Sequence, residues 1–357
     1  MSLRLTLRGA TAACAVAATV VSGSAFASTI NQNTSWTVTR TGATSTYRVV
    51  AYGDSIFAGY NGSLFSVAKR AEPLASGEYL GVKWNANIEV VRRTKSGAKA
   101  DDIYNNKIIT DKSYMQDAKT RVVMFEMCGN DYLQARSDFK GQTGTCSYAG
   151  LDTALANCTS YMEKAMQAIN TYATTAKSKI IMNVYYPGYD ADNVQTSCSD
   201  PTTGAPVNRR VKFLPYLLKS NWRACNLAAQ YGFQCADAFA EMMASDYDSN
   251  GDGQIDVDAV RYKAGETEAA YVSRILSLQS TLRDANAHYA NATTSYDYIQ
   301  SDDTHPTYYK STISTGTGSG AADFTDAQIV GGKNTEWNKW GHEKSGWSIS
   351  TYNPAAP

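Results

Sequence analysis

Apolar residues fall along this chain in two alternating rhythms. Nearly continuous apolar runs occupy 46–52, 121–127 and 179–186, with less uniform ones at 88–92 and 233–239. Short runs without polar alternation predict strands buried on both faces of a sheet. Between them, three- and four-residue spacing predicts helices. Leu151, Leu155, Cys158, Met162, Ala165, Met166 and Ile169 form one stripe. Leu214, Leu217, Leu218, Trp222, Cys225 and Ala229 form a second, with Gly232 as its stop. A third helix near 266–289 carries Val272, Ile275, Leu276 and Leu282. All three stripes read as core faces. The alternation predicts an α/β fold of three layers, a central and mainly parallel sheet between helices, forming a single domain.

The intervening stretches say less. Tyr132 to Gly150 reads as a long connection able to overhang a site, and Ser311 to Ala322 as a flexible Gly/Ser/Thr-rich loop. Its Gly316–Gly320 segment is no phosphate loop, because neither a strand nor a helix pattern flanks it. Trp337, Trp340 and Trp347 crowd a tail that is expected to dock on the domain.

The first 27 residues read as a signal peptide, with Arg4 and Arg8 before the apolar run Ala10–Val21 and small residues at Ala25 and Ala27. A secreted, extracellular or periplasmic protein is therefore expected. That run is too short to span a bilayer, and no later segment is longer. The main folded domain is expected over 28–310 and the loop and tail over 311–357. Without its leader the chain carries 31 basic and 33 acidic residues, since only Arg4 and Arg8 are lost from 33 of each. Neither nucleic acid nor an anionic membrane surface is implied as a partner. The pairs Arg92-Arg93 and Arg209-Arg210 read as solvated. Cys128, Cys146, Cys158, Cys198, Cys225 and Cys235 remain, an even number that predicts three disulfides of undetermined pairing.

Four polar blocks carry the candidate chemistry. Gly53-Asp54-Ser55 ends the first apolar run, placing a serine at the C-terminal edge of a strand, where open α/β sheets bind ligands. Ser96-Gly97 and Cys128-Gly129-Asn130-Asp131 also follow strand-like runs. Asp302-Asp303-Thr304-His305-Pro306 comes last. A serine hydroxyl needs an imidazole to take its proton, and only His288, His305 and His342 exist. His288 falls late in a predicted helix, His342 lies among the tail tryptophans, and His305 occupies a polar turn.

The order of these blocks resembles the SGNH (GDSL) hydrolases. The resemblance implies a flavodoxin-like α/β/α fold and ester hydrolysis with no cofactor. It implies that Ser55 is the nucleophile, His305 the base and Asp302 its orienting carboxylate, with Asp303 as the fallback. It also implies an oxyanion hole made by the backbone N–H groups of Ser55 and Gly97 and the side chain of Asn130. Asp54 and Asp131 are expected to support these loops. One departure stands out: the family's third block begins with glycine, and this chain has Cys128 there. No Gly-x-Ser-x-Gly elbow surrounds Ser55, against the lipase fold that uses one.

A second constellation lies at 246–258. From Asp248, oxygen-bearing side chains recur at Asn250, Asp252 and Asp256, with Gln254 between them and Gly253 at the turn. This is the spacing of an EF-hand loop and predicts a structural Ca²⁺ site. Ala259 stands where the bidentate acid belongs, with Asp258 or Asp246 as substitutes. Together these readings predict a secreted serine esterase or lipase acting on a lipid or short-chain ester. The alternatives are a carbohydrate O-acetyl esterase acting on an acetylated glycan, or a calcium-dependent binding protein without catalysis. Acyl length and oligomeric state are not legible.

Overall fold

The computed structural model describes residues 30–63, 66–68, 70–185, 194–244, 247–254, 256–278, 298–300, 302, 304–308, 324–331 and 341–350. The expected signal peptide, Asp303, His288, the loop 311–322, Trp337 and Trp340 lie outside them.

Six strands form the central sheet: β1 (Ile30–Val38), β2 (Thr46–Gly53), β3 (Asn87–Ser96), β4 (Thr120–Phe125), β5 (Ser178–Met182) and β6 (Gln234–Ala236), in the order β1-β3-β2-β4-β5-β6. β1 runs antiparallel to β3 at one edge, and every other pairing is parallel. Without β1 this is the flavodoxin-like order, whose switch point lies between β2 and β4. Val49 pairs with both Val90 and Val122, and Val50 with Val91 and Val123. Each such fully buried aliphatic side chain is worth about 1.5–3 kcal/mol of burial.

The helices that matter here are α1 (Ser55–Ala58), α2 (Glu72–Trp84), α3 (Gly129–Lys140), α4 (Ala149–Tyr172), α5 (Arg209–Tyr231), α6 (Ala238–Met243) and α7 (Gly341–Ser350). α4 buries its predicted stripe, and α5 buries Leu214, Leu217, Leu218 and Cys225 of its own, while Trp222 is half-buried and Ala229 exposed; the N–H of Gly232 closes α5 in the left-handed conformation. Of the third predicted helix, Glu268–Leu278 is helical and buries Tyr271 and Ile275. Among the described residues no helix is long and apolar enough to cross a membrane.

Four features depart from the sequence reading, β1 because no strand was expected there. β1 reads polar because it is an edge strand with one face partly exposed. The first part of the connection expected from Tyr132 to Gly150 is instead helix α3, which ends at Lys140 and buries Tyr132, Ala135 and Phe139 at three- and four-residue spacing. Arg92 is fully buried rather than solvated. Its guanidinium lies 3.8 Å from the centre of the Trp36 ring and donates to Thr34 Oγ1 and to the carbonyls of Ala58 and Ala68. Arg210 is buried as well.

The fourth change concerns the cysteines. Two disulfides form rather than three, Cys146–Cys198 and Cys225–Cys235. Cys128 and Cys158 are free thiols inside the core, hydrogen-bonded to one another between the start of α3 and the middle of α4. A contact buried on every side satisfies both thiols without a covalent bridge.

The tail helix α7 packs on α2 and α6. At Gly341 a Cβ would overlap the Tyr298 carbonyl, and at Gly346 it would overlap Ala75, so glycine permits both approaches.

Candidate active site

β2 ends at Gly53, where a side chain would overlap the carboxyl of Glu126, the residue after β4. Asp54 follows as the N-cap of α1, its Oδ1 accepting the N–H of Ile56 at 2.8 Å. Ser55 is the first residue of α1 and is 5% exposed. The backbone is thus turned so that the serine stands at the sheet edge, at the switch point.

Asp302 and His305 arrive from the far end of the sequence. Asp302 Oδ1 accepts the backbone N–H groups of Thr304 and His305 at 3.1 and 2.9 Å. Its Oδ2 meets His305 Nδ1 at 2.6 Å, and His305 Nε2 lies 2.8 Å from Ser55 Oγ. The three-residue spacing therefore lets one carboxylate fix both the turn and the ring. Nδ1–H donates to Asp302, leaving Nε2 to accept the serine proton. Burial opposes the Asp302 charge, but the hydrogen bonds and charge of His305 outweigh it and hold this carboxyl below its usual range.

The turn is itself held. The N–H of Gln300 donates to the His305 carbonyl at 2.7 Å, and its side chain donates to the carbonyls of Pro306 and Tyr60. Tyr185 donates its hydroxyl to the Thr304 carbonyl. From α7, the N–H groups of Gly341 and His342 each donate to Thr307 at 3.0 Å. His342 lies apart from Ser55, buried against Glu72 with Nδ1 2.7 Å from Oε2.

Gly97 ends β3 in the left-handed region, φ 77°. The Asn130 amide donates to Asp54 Oδ2 at 2.9 Å and to the Ala98 carbonyl at 3.0 Å, joining three blocks. Asp131 accepts the N–H of Ala100 at 2.9 Å, and burial raises its carboxyl to about 7. Cys128 takes φ 87°, a conformation that costs a side-chain-bearing residue about 1–3 kcal/mol. The position is thus one that suits glycine, and the packed thiol holds it.

Ile56, Met127, Leu133, Met182, Val184 and Tyr185 line a cavity beside Ser55. Two neighbours escaped the sequence reading. Glu126 sits 4% exposed beneath Asp54, and its signal was a lone acid inside an apolar run. Tyr60 stacks on His305, and nothing distinguishes it among 24 tyrosines.

The Asp248 loop lies elsewhere. Asp248 accepts the N–H groups of Gly251 and Gly253 at 2.7 and 2.8 Å, while Asp252 accepts that of Gln254 and Asp256 that of Ser249, both at 2.8 Å. Asn250 accepts the N–H of Asp252. Among the described residues no group of three or more His, Cys, Asp or Glu side chains is arranged to hold a metal ion.

The fold is similar to that of several solved structures. A lipase from a goat rumen metagenome is 16% identical, with 65% of this chain and 96% of that chain covered and a TM-score of 0.41. Phospholipase A1 from Streptomyces albidoflavus is 17% identical over 65% of this chain and 98% of that one, TM-score 0.40. An acetyl xylan esterase variant from Geobacillus stearothermophilus is 15% identical over 56% and 79%, TM-score 0.36. No curated protein matches the chain at the sequence level. The family model of the GDSL-like lipase/acylhydrolases matches residues 49–309, a span that holds every block described above, and the chain belongs to that family of carboxylic ester hydrolases.

Proposed function

We propose that Ser55, His305 and Asp302 cleave carboxylic esters through an acyl-enzyme. The observation that carries this reading is the unbroken line of hydrogen bonds from Ser55 Oγ through His305 to Asp302. Ser55 Oγ attacks the carbonyl carbon as His305 Nε2 takes its proton, and the carbonyl electron pair moves onto oxygen. Collapse breaks the bond to the alcohol, which leaves with the proton from His305. Water then attacks the acyl group, His305 relays its proton, and the acid departs as Ser55 is restored.

The oxyanion would be met by the N–H groups of Ser55 and Gly97 and by the Asn130 amide. Both N–H groups of Asn130 already have acceptors, so one must be shared. The bond to ionised Asp54 is charge-assisted and the bond to the neutral Ala98 carbonyl is not, so the Ala98 bond yields. The small cavity beside Ser55, walled by Ile56, Met127, Leu133 and Met182 with Asn183 and Thr304 among the polar residues, supports a short acyl group, as in a short-chain ester. Secretion behind the 1–27 leader fits a chain with two disulfides. The loop with Asp248, Asn250, Asp252, Gln254 and Asp256 is assigned a structural Ca²⁺ away from the chemistry.

The test is hydrolysis of p-nitrophenyl esters of graded chain length beside acetylated xylan, by the mature protein and by Ser55→Ala. Turnover of the nitrophenyl esters should fall by roughly 10⁴–10⁶ in the variant. Near-normal turnover in Ser55→Ala would overturn the assignment, and activity on acetylated xylan alone would replace the acyl-chain reading with a glycan one.

A further inference from the structure

Beneath the serine turn two buried carboxyl groups lie against each other beside the cavity at Ser55. Glu126 Oε1 accepts the backbone N–H of Asp54 at 2.5 Å, and the two side chains share a hydrogen bond. Two carboxyls can bond in this way only if one keeps its proton. The surrounding donors show which one does. Asp54 accepts Ile56 N–H on one oxygen and the Asn130 amide on the other, as a carboxylate does. Glu126 is left as the acid.

We propose that protonated Glu126 is a positioning residue, donating to Asp54 and thereby holding the Asn130 amide and the Ser55 turn in register. Gly53 fits this role, since it is the gap through which Glu126 reaches the turn. Burial raises both carboxyls, and the Asp54 charge adds to it at Glu126, which is pushed well above its usual range. The other groups facing it are Glu72 from α2, Tyr185 after β5 and Cys128 after β4. Of the nearby basic groups, Arg92 and His342 act on Glu72, and His305 acts on Asp54. When alkali removes the Glu126 proton, two buried carboxylates repel, and Asp54 releases Asn130. Turnover should then fall at high pH while substrate binding is largely kept.

This inference rests on the serine-hydrolase reading, so the experiment includes Ser55→Ala. kcat and KM for a p-nitrophenyl ester are measured from pH 5 to 10, with spontaneous hydrolysis subtracted and folding followed by thermal melting. Glu126→Gln places an amide donor against Asp54 at every pH. It should keep kcat within about threefold of wild type at pH 7 and lose the alkaline fall. Glu126→Ala should lower kcat by roughly 10–100-fold, with KM changed far less. A Glu126→Gln profile that falls as wild type does would overturn the proposal, as would a folded Glu126→Ala with wild-type kcat. If Glu126→Ala does not fold, the Gln profile alone decides. An active Ser55→Ala would instead remove the underlying reading.

Discussion

The ring of Tyr60 lies 3.9 Å from that of His305, centroid to centroid, with the planes 24° apart. An imidazole that takes a proton during turnover becomes a cation facing an aromatic ring, an attraction worth about 0.5–1 kcal/mol where exposed and more where dry. Tyr60→Phe keeps the ring and should keep kcat. Tyr60→Ala removes both the cation's partner and a wall of the turn, and kcat should drop by roughly 3–10-fold. Equal kcat in the two variants would show that the stack is passive.

Asp131 sets a pH dependence of stability. Its carboxyl is raised to about 7 in the folded protein, mainly by burial, against about 3.9 in an unfolded chain. The folded state therefore binds this proton more tightly. The associated stability is fully present below pH 4 and is lost as pH rises through 7. Asp131→Asn should flatten the melting temperature between pH 4 and 8 relative to wild type. Parallel profiles for the two proteins would contradict the assignment.

Cys128 and Cys158 should both remain thiols. Alkylation should label two cysteines per chain, and only after denaturation, because both are buried. At Cys128 the backbone is left-handed, so Cys128→Gly should be more stable than Cys128→Ala by about 1 kcal/mol. Chemical denaturation of the pair measures the difference, and the reverse order would mean that the turn relaxes out of this conformation.

Calcium is expected to act on stability alone. Without the bidentate acid, the Asp248 loop should bind weakly, on the order of 10⁻⁴–10⁻³ M. Millimolar Ca²⁺ should raise the melting temperature by a few degrees, roughly as RT ln(1 + [L]/Kd) requires. The double substitution Asp248→Ala with Asp252→Ala should erase that rise and spare ester turnover. Indifference of the wild type to both chelator and calcium would leave an ordinary hydrogen-bonded turn.

Much of the sheet was legible because β2, β4 and β5 are buried on both faces and so read as apolar runs. β1 was not, since Asn31, Asn33 and Ser35 face outward on an edge strand. α3 was missed for a different reason. Only Tyr132, Ala135 and Phe139 mark its inner face, and the Asn130-Asp131 block at its start is polar for reasons of the site. The blocks that carry Ser55, Asn130 and His305 could be read because each is short and sequential. Tyr60 and Glu126 could not, because their importance lies in contacts with residues far along the chain, and no local spacing encodes such a contact.

The strap from α7 makes completion of the site a matter of timing. Ser55 stands near the start of the family-matched span, whereas Thr307, beside His305, is fastened by Gly341 and His342, well past its end. A chain emerging from the ribosome can build the sheet and seat the serine long before it can anchor the imidazole. A nick anywhere between Thr307 and Gly341 would likewise leave every block of the motif intact while cutting the covalent link to the segment that fastens the histidine turn. The histidine turn is thus fastened by residues that belong to no motif.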